Sequence, residues 1–358
     1  MAITEVPQTV QWHGQNVPVY PMETVDFSRI LSQEPDEIAR LLKCCQTSGF
    51  FYLDLNTIDG RRFLRDQQAT LGLMGRFFSA PLEAKNEFGL VSPHLGYEPV
   101  GCRNGVFPDR RDGYEMIKVS RDEMQRASNR RKLPAVISSE SDVQVLEDAI
   151  AGANIVTKTM LAALSTAMGL TGAERFESRH RNDRPSTSTL AMMHYVPSDP
   201  TDPANETVGH QKHTDISSLT LLFSEQWGLQ IRPPGAREFG FVAPRPGTAV
   251  VNVGDSLRFA SGHTMMSCIH RVVPFDPTEH RYSIAYFLRA ENDSMFVDSE
   301  GRYITAGQWH DEKFYVFKAA PEIQAAAPPS MLFGGMRVDD DETPLPLMAG
   351  EPKPVVVR

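Results

Sequence analysis

Cysteine is scarce in this chain, and the few cysteines it has do not suggest disulfide bonds. Only 4 of the 358 residues are cysteines, and Cys44 and Cys45 are adjacent, which is a poor arrangement for a disulfide. Such usage is typical of proteins from reducing compartments, whereas small secreted proteins rely on disulfide frameworks. The N-terminus also lacks the charged start and apolar run of a secretory signal. We therefore expect a cytoplasmic protein.

Blocks of positive charge and long apolar runs are missing as well. The formal net charge is −9, and no block of lysine and arginine interrupts this acidic balance, so the average field repels phosphate backbones and anionic lipid surfaces. No stretch approaches the roughly 20 apolar residues that a membrane span requires. These absences argue against nucleic acid and membrane partners. The oligomeric state is open, and a monomer is compatible with the sequence.

The pattern along the chain changes twice and predicts an α+β fold with a mainly β core. Residues 1–185 alternate helical and extended patterns, residues 186–290 form short strands at spacings typical of a sandwich or barrel, and residues 291–358 return to a helix and a proline-rich tail. Apolar spacing predicts four helices: Asp36–Ser48, Asp59–Phe78, Ser141–Met168 and Gln308–Lys318.

Metal-binding residue types stand at the start of one predicted strand, in "HTDISSLTLL". His213 and Asp215 are two residues apart, so on a strand their side chains face the same way. Two ligands hold an ion poorly, and His270 in "SCIHRVVPF" is the best third candidate. Two histidines and one carboxylate form the facial triad of non-haem iron(II) oxygenases. A zinc hydrolase with the same ligands is the chemical alternative.

Other histidines near these segments offer a less specific interpretation. His210, His263 and His280 lie close in sequence to the proposed ligands and are read here as surface or turn residues. A single His-x-Asp motif is also a weak signal in a chain of this length. Additional residues are therefore needed to support a metal site.

A possible anion clamp follows His270, in "HRYSIAYF". Arg281 and Ser283 again lie two residues apart on a predicted strand and so share one face. An inward-facing guanidinium and hydroxyl can bind a carboxylate through charge-assisted hydrogen bonds. The alternative is a surface arginine paired with an acid, but the apolar "IAYFL" that follows favours a buried strand.

These motifs together resemble the isopenicillin-N-synthase-like family of iron(II)/2-oxoglutarate-dependent dioxygenases. The likeness rests on "HTDISSLTLLFSEQWGLQIR", "VVNVGDSLRFASGHTMMSCIHRVV" and "RYSIAYF", with N-terminal motifs in the expected order, and spans roughly residues 17–288. It implies a double-stranded β-helix, or jelly roll, flanked by helices. It also implies Fe(II) on His213, Asp215 and His270, with O2 and the cosubstrate 2-oxoglutarate bound at the metal. Arg281 and Ser283 would then hold the far carboxylate of 2-oxoglutarate.

The sequence departs from the family pattern at one position. Many members carry a tyrosine directly before a proline on the strand that precedes the metal motif, where it helps to bind 2-oxoglutarate. Here Val196 precedes Pro197, and Tyr195 stands one residue early. A shift of one residue turns a strand side chain to the opposite face, so Tyr195 is expected to face away from the cosubstrate.

Three functions remain after this comparison. The leading hypothesis is a 2-oxoglutarate-dependent dioxygenase that hydroxylates, desaturates or cyclises a small organic molecule of secondary metabolism. The second is an iron-dependent oxidase of the same fold that does not use 2-oxoglutarate. The third is a catalytically silent jelly-roll binding protein. In the enzyme, the substrate is expected between the jelly roll and the loops of residues 91–125.

Overall fold

The structure, a computed structural model, describes residues 8–103, 111–125, 133–197 and 209–336. Parts of two expected features therefore lie outside the described residues: a section of the 91–125 loops and the proline-rich end of the chain. Among the described residues, no helix is long and apolar enough to cross a membrane.

Sixteen strands are present in the described chain. In chain order they are β1 (Thr9–Trp12), β2 (Gln15–Pro18), β3 (Thr24–Asp26), β4 (Phe50–Asp54), β5 (Gly96–Glu98), β6 (Tyr114–Ser120), β7 (Thr189–Tyr195), β8 (His210–His213), β9 (Leu219–Phe223), β10 (Leu229–Arg232), β11 (Gly240–Phe241), β12 (Thr248–Val253), β13 (Ile269–Val272), β14 (Arg281–Leu288), β15 (Met295–Val297) and β16 (Tyr303–Thr305).

Ten α-helices accompany them over the same described ranges. They are α1 (Phe27–Leu31), α2 (Pro35–Thr47), α3 (Arg61–Phe78), α4 (Leu82–Asn86), α5 (Arg121–Gln125), α6 (Glu140–Ala167), α7 (Asp255–Ala260), α8 (Ala306–Lys318), α9 (Pro321–Ala326) and α10 (Pro329–Phe333).

Two sheets face each other and form the predicted jelly roll. The larger has eight strands in the order β3-β4-β12-β9-β14-β7-β6-β5, and the smaller has four in the order β11-β10-β13-β8. Side chains alternate between the two faces of each strand, so the central strands of the larger sheet contribute to two cores. The inner face of the larger sheet packs against the smaller sheet through residues such as Tyr52, Met193 and Ile231.

The long helices cover the outer face of the larger sheet. On α6, buried residues such as Leu146, Val156 and Leu164 pack into the same core as Phe77 of α3 and Leu41 of α2. The α6 helix starts at Ser139, whose side chain accepts a hydrogen bond from the backbone N–H of Asp142 and satisfies one free donor of the first turn. The layer of α2, α3 and α6 therefore supports the outer face of the larger sheet, and the inner face of that sheet lines the candidate site.

The predicted fold class and the four predicted helices are confirmed, with ends shifted by no more than two residues. The division of the chain at residue 185 stays a prediction. The larger sheet takes β3, β4, β5 and β6 from before residue 185 and its other four strands from after it. One local expectation is wrong. Strand β8 ends at His213 and β9 begins only at Leu219, so Asp215 lies in the connecting loop and not on a strand with His213.

Candidate active site

The three predicted metal ligands converge between the two sheets. Strands β8 and β13 run antiparallel, and their register places His213 directly opposite His270. The loop after β8 then brings Asp215 to the same point. One ligand atom from each residue lies within 4.8 Å of the other two, and this is the one such group of three or more found in the described chain.

Backbone carbonyls fix the orientation of both imidazoles. The Nδ1 atom of His213 lies 2.8 Å from the carbonyl oxygen of Gln211, and that of His270 lies 3.1 Å from the carbonyl oxygen of Cys268. A carbonyl only accepts, so each Nδ1 carries the proton and each Nε2 of the neutral ring presents a lone pair. Burial, followed by the charge of His213, lowers the pKa of His270 to about 4, which keeps this ring neutral at physiological pH.

The carboxylate of Asp215 is oriented by two neighbouring strands. Its Oδ2 accepts hydrogen bonds from the Thr220 hydroxyl on β9 at 2.7 Å and from the Asn252 amide on β12 at 2.8 Å. Its Oδ1 faces the two imidazoles, 3.4 Å from Nε2 of His213 and 3.7 Å from Nε2 of His270. Burial raises the pKa of Asp215, but the two histidines and Asn252 outweigh it and hold that pKa below its ordinary value. Sequence patterns contain no signal for Thr220 and Asn252.

The loop that carries Asp215 is held from behind by α7 and α8. The backbone N–H of Asp255 donates to the Asp215 carbonyl oxygen at 2.8 Å. Lys313 on α8 forms a buried ion pair with Asp255 and donates to the Thr214 hydroxyl at 2.6 Å. Gly254 is required here because a β-carbon would come within 2.0 Å of the Ser217 carbonyl oxygen.

The alternative histidines do not join the ligand set. His210 stacks on His213 with ring centroids 4.6 Å apart, but it is not among the three converging side chains. His263 bonds with Arg258, and His280 bonds with His194 on the strand next to β14. None of these three residues thus belongs to the converging group.

Arg281 is buried on the inner face of the larger sheet without an acidic partner among the described residues. Its Nε donates to the Trp227 carbonyl oxygen at 2.9 Å and its Nη2 to the Ser224 hydroxyl at 3.1 Å. Its Nη1 is buried and has no hydrogen-bond partner in the described chain. Gly228 allows this packing, since its φ is +131° and a β-carbon there would lie 3.0 Å from the Arg281 Nε. The guanidinium therefore has a free donor for an anion.

Tyr195 faces the clamp, and the expectation that it faces away is wrong. In the register of β7 and β14, Tyr195 lies directly opposite Arg281, and residues opposite each other share a face. The Arg281 guanidinium sits 4.7 Å from the centre of the Tyr195 ring. Burial raises the pKa of Tyr195, while the Arg281 charge and side-chain contacts with Ser283 and Arg281 lower it. The pairing register, which a motif comparison does not contain, decides the direction of this side chain.

The donor set fits one metal ion with open positions. Ligand atoms about 2.1 Å from a shared ion lie about 3 to 3.4 Å apart for bond angles between right-angled and tetrahedral, so the separations of 3.4 and 3.7 Å between Oδ1 of Asp215 and the two Nε2 atoms are compatible with a shared ion. Two neutral imidazoles and one carboxylate on one face suit iron(II) and leave positions for small ligands. The unpartnered Arg281 Nη1 likewise fits a carboxylate bound nearby.

Comparison with known proteins gives the same result. The sequence profile of the 2OG-Fe(II) oxygenase superfamily matches residues 187–290, and that of the non-haem dioxygenase in morphine synthesis N-terminal family matches residues 22–136. The 2-oxoglutarate-dependent dioxygenase frbH of Dothideomycetidae sp. is 41% identical, with 89% of this chain and 96% of the relative covered. The oxidoreductase vrtI of Penicillium aethiopicum is also 41% identical, over 89% of this chain and 76% of the relative.

A solved structure agrees in fold over most of the chain. A full-length protein of Neurospora crassa, crystallised in complex with alpha-KG, superposes with a TM-score of 0.66 at 26% identity, covering 86% of this chain and 99% of that one. These matches favour the oxygenase over the oxidase and the silent binding protein. The chain belongs to the 2OG-Fe(II) oxygenase superfamily and is an oxidoreductase that depends on non-haem iron(II), 2-oxoglutarate and O2.

Proposed function

We propose that His213, Asp215 and His270 are the three protein ligands of the iron. The observation that carries this proposal is the convergence of three neutral or anionic donors, each held by a separate hydrogen bond, on one point between the sheets. Because Oδ2 of Asp215 is already engaged twice, Oδ1 is the atom left to bind the metal. Outer hydrogen bonds of this kind orient ligands and raise metal affinity.

Arg281, Ser283 and Tyr195 form the proposed clamp for the far carboxylate of 2-oxoglutarate. The three side chains lie on the inner face of the paired strands β7 and β14. The guanidinium keeps Nη1 without a partner, so a carboxylate there would supply both a counter-charge and an acceptor. Ser283 and the Tyr195 hydroxyl add two short polar groups that can bond the same carboxylate.

When bound, the iron and 2-oxoglutarate supply oxygen activation coupled to decarboxylation, which yields succinate, CO2 and an oxidised substrate. The protein contributes positioning. The two imidazoles and Asp215 would hold the ion, and the clamp would fix 2-oxoglutarate in one orientation. Phe317 of α8 packs 5.2 Å from the His213 ring and Phe50 packs 5.4 Å from the His270 ring, and both exclude water from the ligands.

The organic substrate is proposed to be a small molecule of secondary metabolism, bound between the jelly roll and the loops of residues 91–125. Hydroxylation, desaturation and cyclisation are all compatible with the site.

A cytoplasmic location is proposed from the cysteines, which are all free, with Cys44, Cys45 and Cys268 buried.

Release of labelled CO2 from 2-oxoglutarate labelled at its 1-carboxylate tests the proposed function. The dioxygenase releases CO2 in a reaction that requires added iron(II) and O2, and His270→Ala abolishes it. An oxidase would consume O2 without releasing CO2, and a silent binding protein would do neither. Full activity with zinc in place of iron would contradict the metal assignment.

A further inference from the structure

A second buried arginine lies at the far end of the strand that begins with Arg281. Strand β14 ends at Leu288, and by alternation Arg289 continues the inner face that carries Arg281 and Ser283. Phe287, two residues before Arg289, pairs with Thr220, whose hydroxyl donates to the Asp215 carboxylate. Arg289 therefore lies two residues further along the chain than Phe287, which is level with Thr220 and its bond to Asp215.

The charge of Arg289 is not compensated within the described residues. The side chain is 9% exposed and makes one hydrogen bond, from Nη1 to the Thr187 carbonyl oxygen, while its Nε is buried without a partner. Buried Lys85, Lys118 and Lys313 each have a carboxylate within ion-pair distance, but Arg289 has none in the described chain. A buried, unpaired charge is costly, so an external anion is the expected partner.

Two histidines beside Arg289 each have one ring nitrogen without a partner among the described residues. The rings of His94 and His310 are 6.2 Å apart, and His94 Nδ1 and His310 Nε2 are buried without hydrogen bonds in the described residues. The Thr189 hydroxyl donates to the His94 carbonyl oxygen at 2.8 Å, and the carbonyl oxygen of Thr187, two residues earlier, accepts from Arg289. His94 and Arg289 are thus both held by the short segment from Thr187 to Thr189.

Arg289 is the charged member of this group, and the exposed Asp311 carboxylate lies beside the group, 2.9 Å from Nδ1 of His310. Burial, followed by the charge of Arg289, lowers the pKa of His94 to about 4 and that of His310 to about 2, so both rings are neutral at physiological pH. Burial lowers the pKa of Arg289 to about 10, against the opposing effect of Asp215, so the guanidinium stays charged. The group therefore presents one cation and two neutral imidazoles.

If Arg281 binds 2-oxoglutarate, then 2-oxoglutarate cannot also be the anion that compensates the charge of Arg289. The two arginines are eight positions apart, which is about 26 Å along an extended chain, and 2-oxoglutarate is a five-carbon chain. We propose that Arg289 binds a carboxylate of the organic substrate, with His94 and His310 beside it, so that the substrate class is a small carboxylic acid. This inference rests on the proposed function of the His213, Asp215 and His270 site.

Binding of acetate near the metal tests this inference. The enzyme is loaded with Mn(II), which is redox-silent and paramagnetic, and saturated with 2-oxoglutarate, which fills the clamp. Nuclear relaxation of the acetate methyl protons then reports acetate close to Mn(II), with neutral acetamide as the matched probe. We expect saturable enhancement with acetate and much weaker binding of acetamide.

Variants locate the bound acetate. Arg289→Gln removes a charged hydrogen-bond donor worth about 1.5 to 3 kcal/mol and should weaken acetate binding roughly ten- to a hundredfold. Arg289→Lys keeps the charge and should lose less, and Arg237→Gln, at an exposed loop position, should change nothing.

Three results would overturn the inference: no acetate enhancement in the parent, equal binding of acetate and acetamide, or equal acetate affinity in Arg289→Gln. Equal binding of acetate and acetamide is observed in the parent and needs no variant, so this result can overturn the inference even if Arg289→Gln does not fold. Failure of the proposed function looks different, because the parent would then not bind Mn(II) and 2-oxoglutarate in the first step.

Discussion

At the scale of single residues, the proposed clamp depends most on Arg281. Arg281→Gln removes a charge-assisted contact from a poorly solvated position, and such a contact is worth about 1.5 to 3 kcal/mol. The KM for 2-oxoglutarate should therefore rise roughly ten- to a hundredfold in steady-state CO2 release, while iron occupancy stays at the parent level. Arg281→Lys should recover part of the loss because it keeps the charge without the planar fork. An unchanged KM in Arg281→Gln would remove Arg281 from the clamp.

Tyr195 is the residue whose role the structure changes. Tyr195→Phe keeps the ring against the Arg281 guanidinium and removes only the hydroxyl. A neutral hydrogen bond contributes about 0.5 to 1.5 kcal/mol, so the KM for 2-oxoglutarate should rise roughly two- to tenfold. Tyr20→Phe, which removes another partly buried hydroxyl of the inner core, is the control and should leave this KM unchanged. Equal values in Tyr195→Phe and the parent would mean that the hydroxyl does not contact the cosubstrate.

At the scale of secondary-structure elements, α8 holds the metal-binding loop through one buried ion pair. Lys313→Met leaves the Asp255 carboxylate buried without its cation, which typically costs about 3 to 5 kcal/mol. Urea unfolding should show this loss of stability, whereas Lys43→Met on the exposed face of α2 should stay within about 0.5 kcal/mol of the parent. A loss below about 1 kcal/mol in Lys313→Met would mean that α8 does not support the loop in this way.

The elements also show what the sequence could and could not predict. Apolar periodicity located α2, α3, α6 and α8 because each buries one face against the rest of the fold. The ligand types and their spacing located His213, Asp215 and His270. Sequence patterns contain no pairing register, so they misplaced Tyr195 and could not find the hydrogen bonds to Asp215. They also placed Asp215 on a strand with His213. A spacing of two residues between one pair of side chains is too short a pattern to distinguish a strand from a loop.

At the scale of the whole molecule, the site joins parts of the chain that are distant in sequence. Its proposed ligands come from the smaller sheet and a loop, its proposed clamp from the larger sheet, and its supports from α7 and α8. A ligand that binds only the assembled site stabilises the entire fold. Mn(II) with 2-oxoglutarate at about 100 times its dissociation constant should add about 2.7 kcal/mol to the free energy of unfolding.

Chemical denaturation with and without these ligands measures that increment. His270→Ala should show no increment under the same conditions because it lacks one metal ligand. An equal increment in the parent and in His270→Ala would place the metal and cosubstrate elsewhere in the protein.

The central claim is that His213, Asp215 and His270 hold the iron that 2-oxoglutarate chelates. Its most direct test is an anaerobic titration of the metal-free protein with iron(II) in the presence of 2-oxoglutarate, following the visible charge-transfer band of the chelate. His263→Asn is the matched control, since His263 lies outside the cluster and asparagine tolerates its φ of +63°. The band should saturate at one iron per chain in the parent and in His263→Asn, and it should be absent in His270→Ala. A band of parental affinity in His270→Ala, or none in the parent, would contradict the claim.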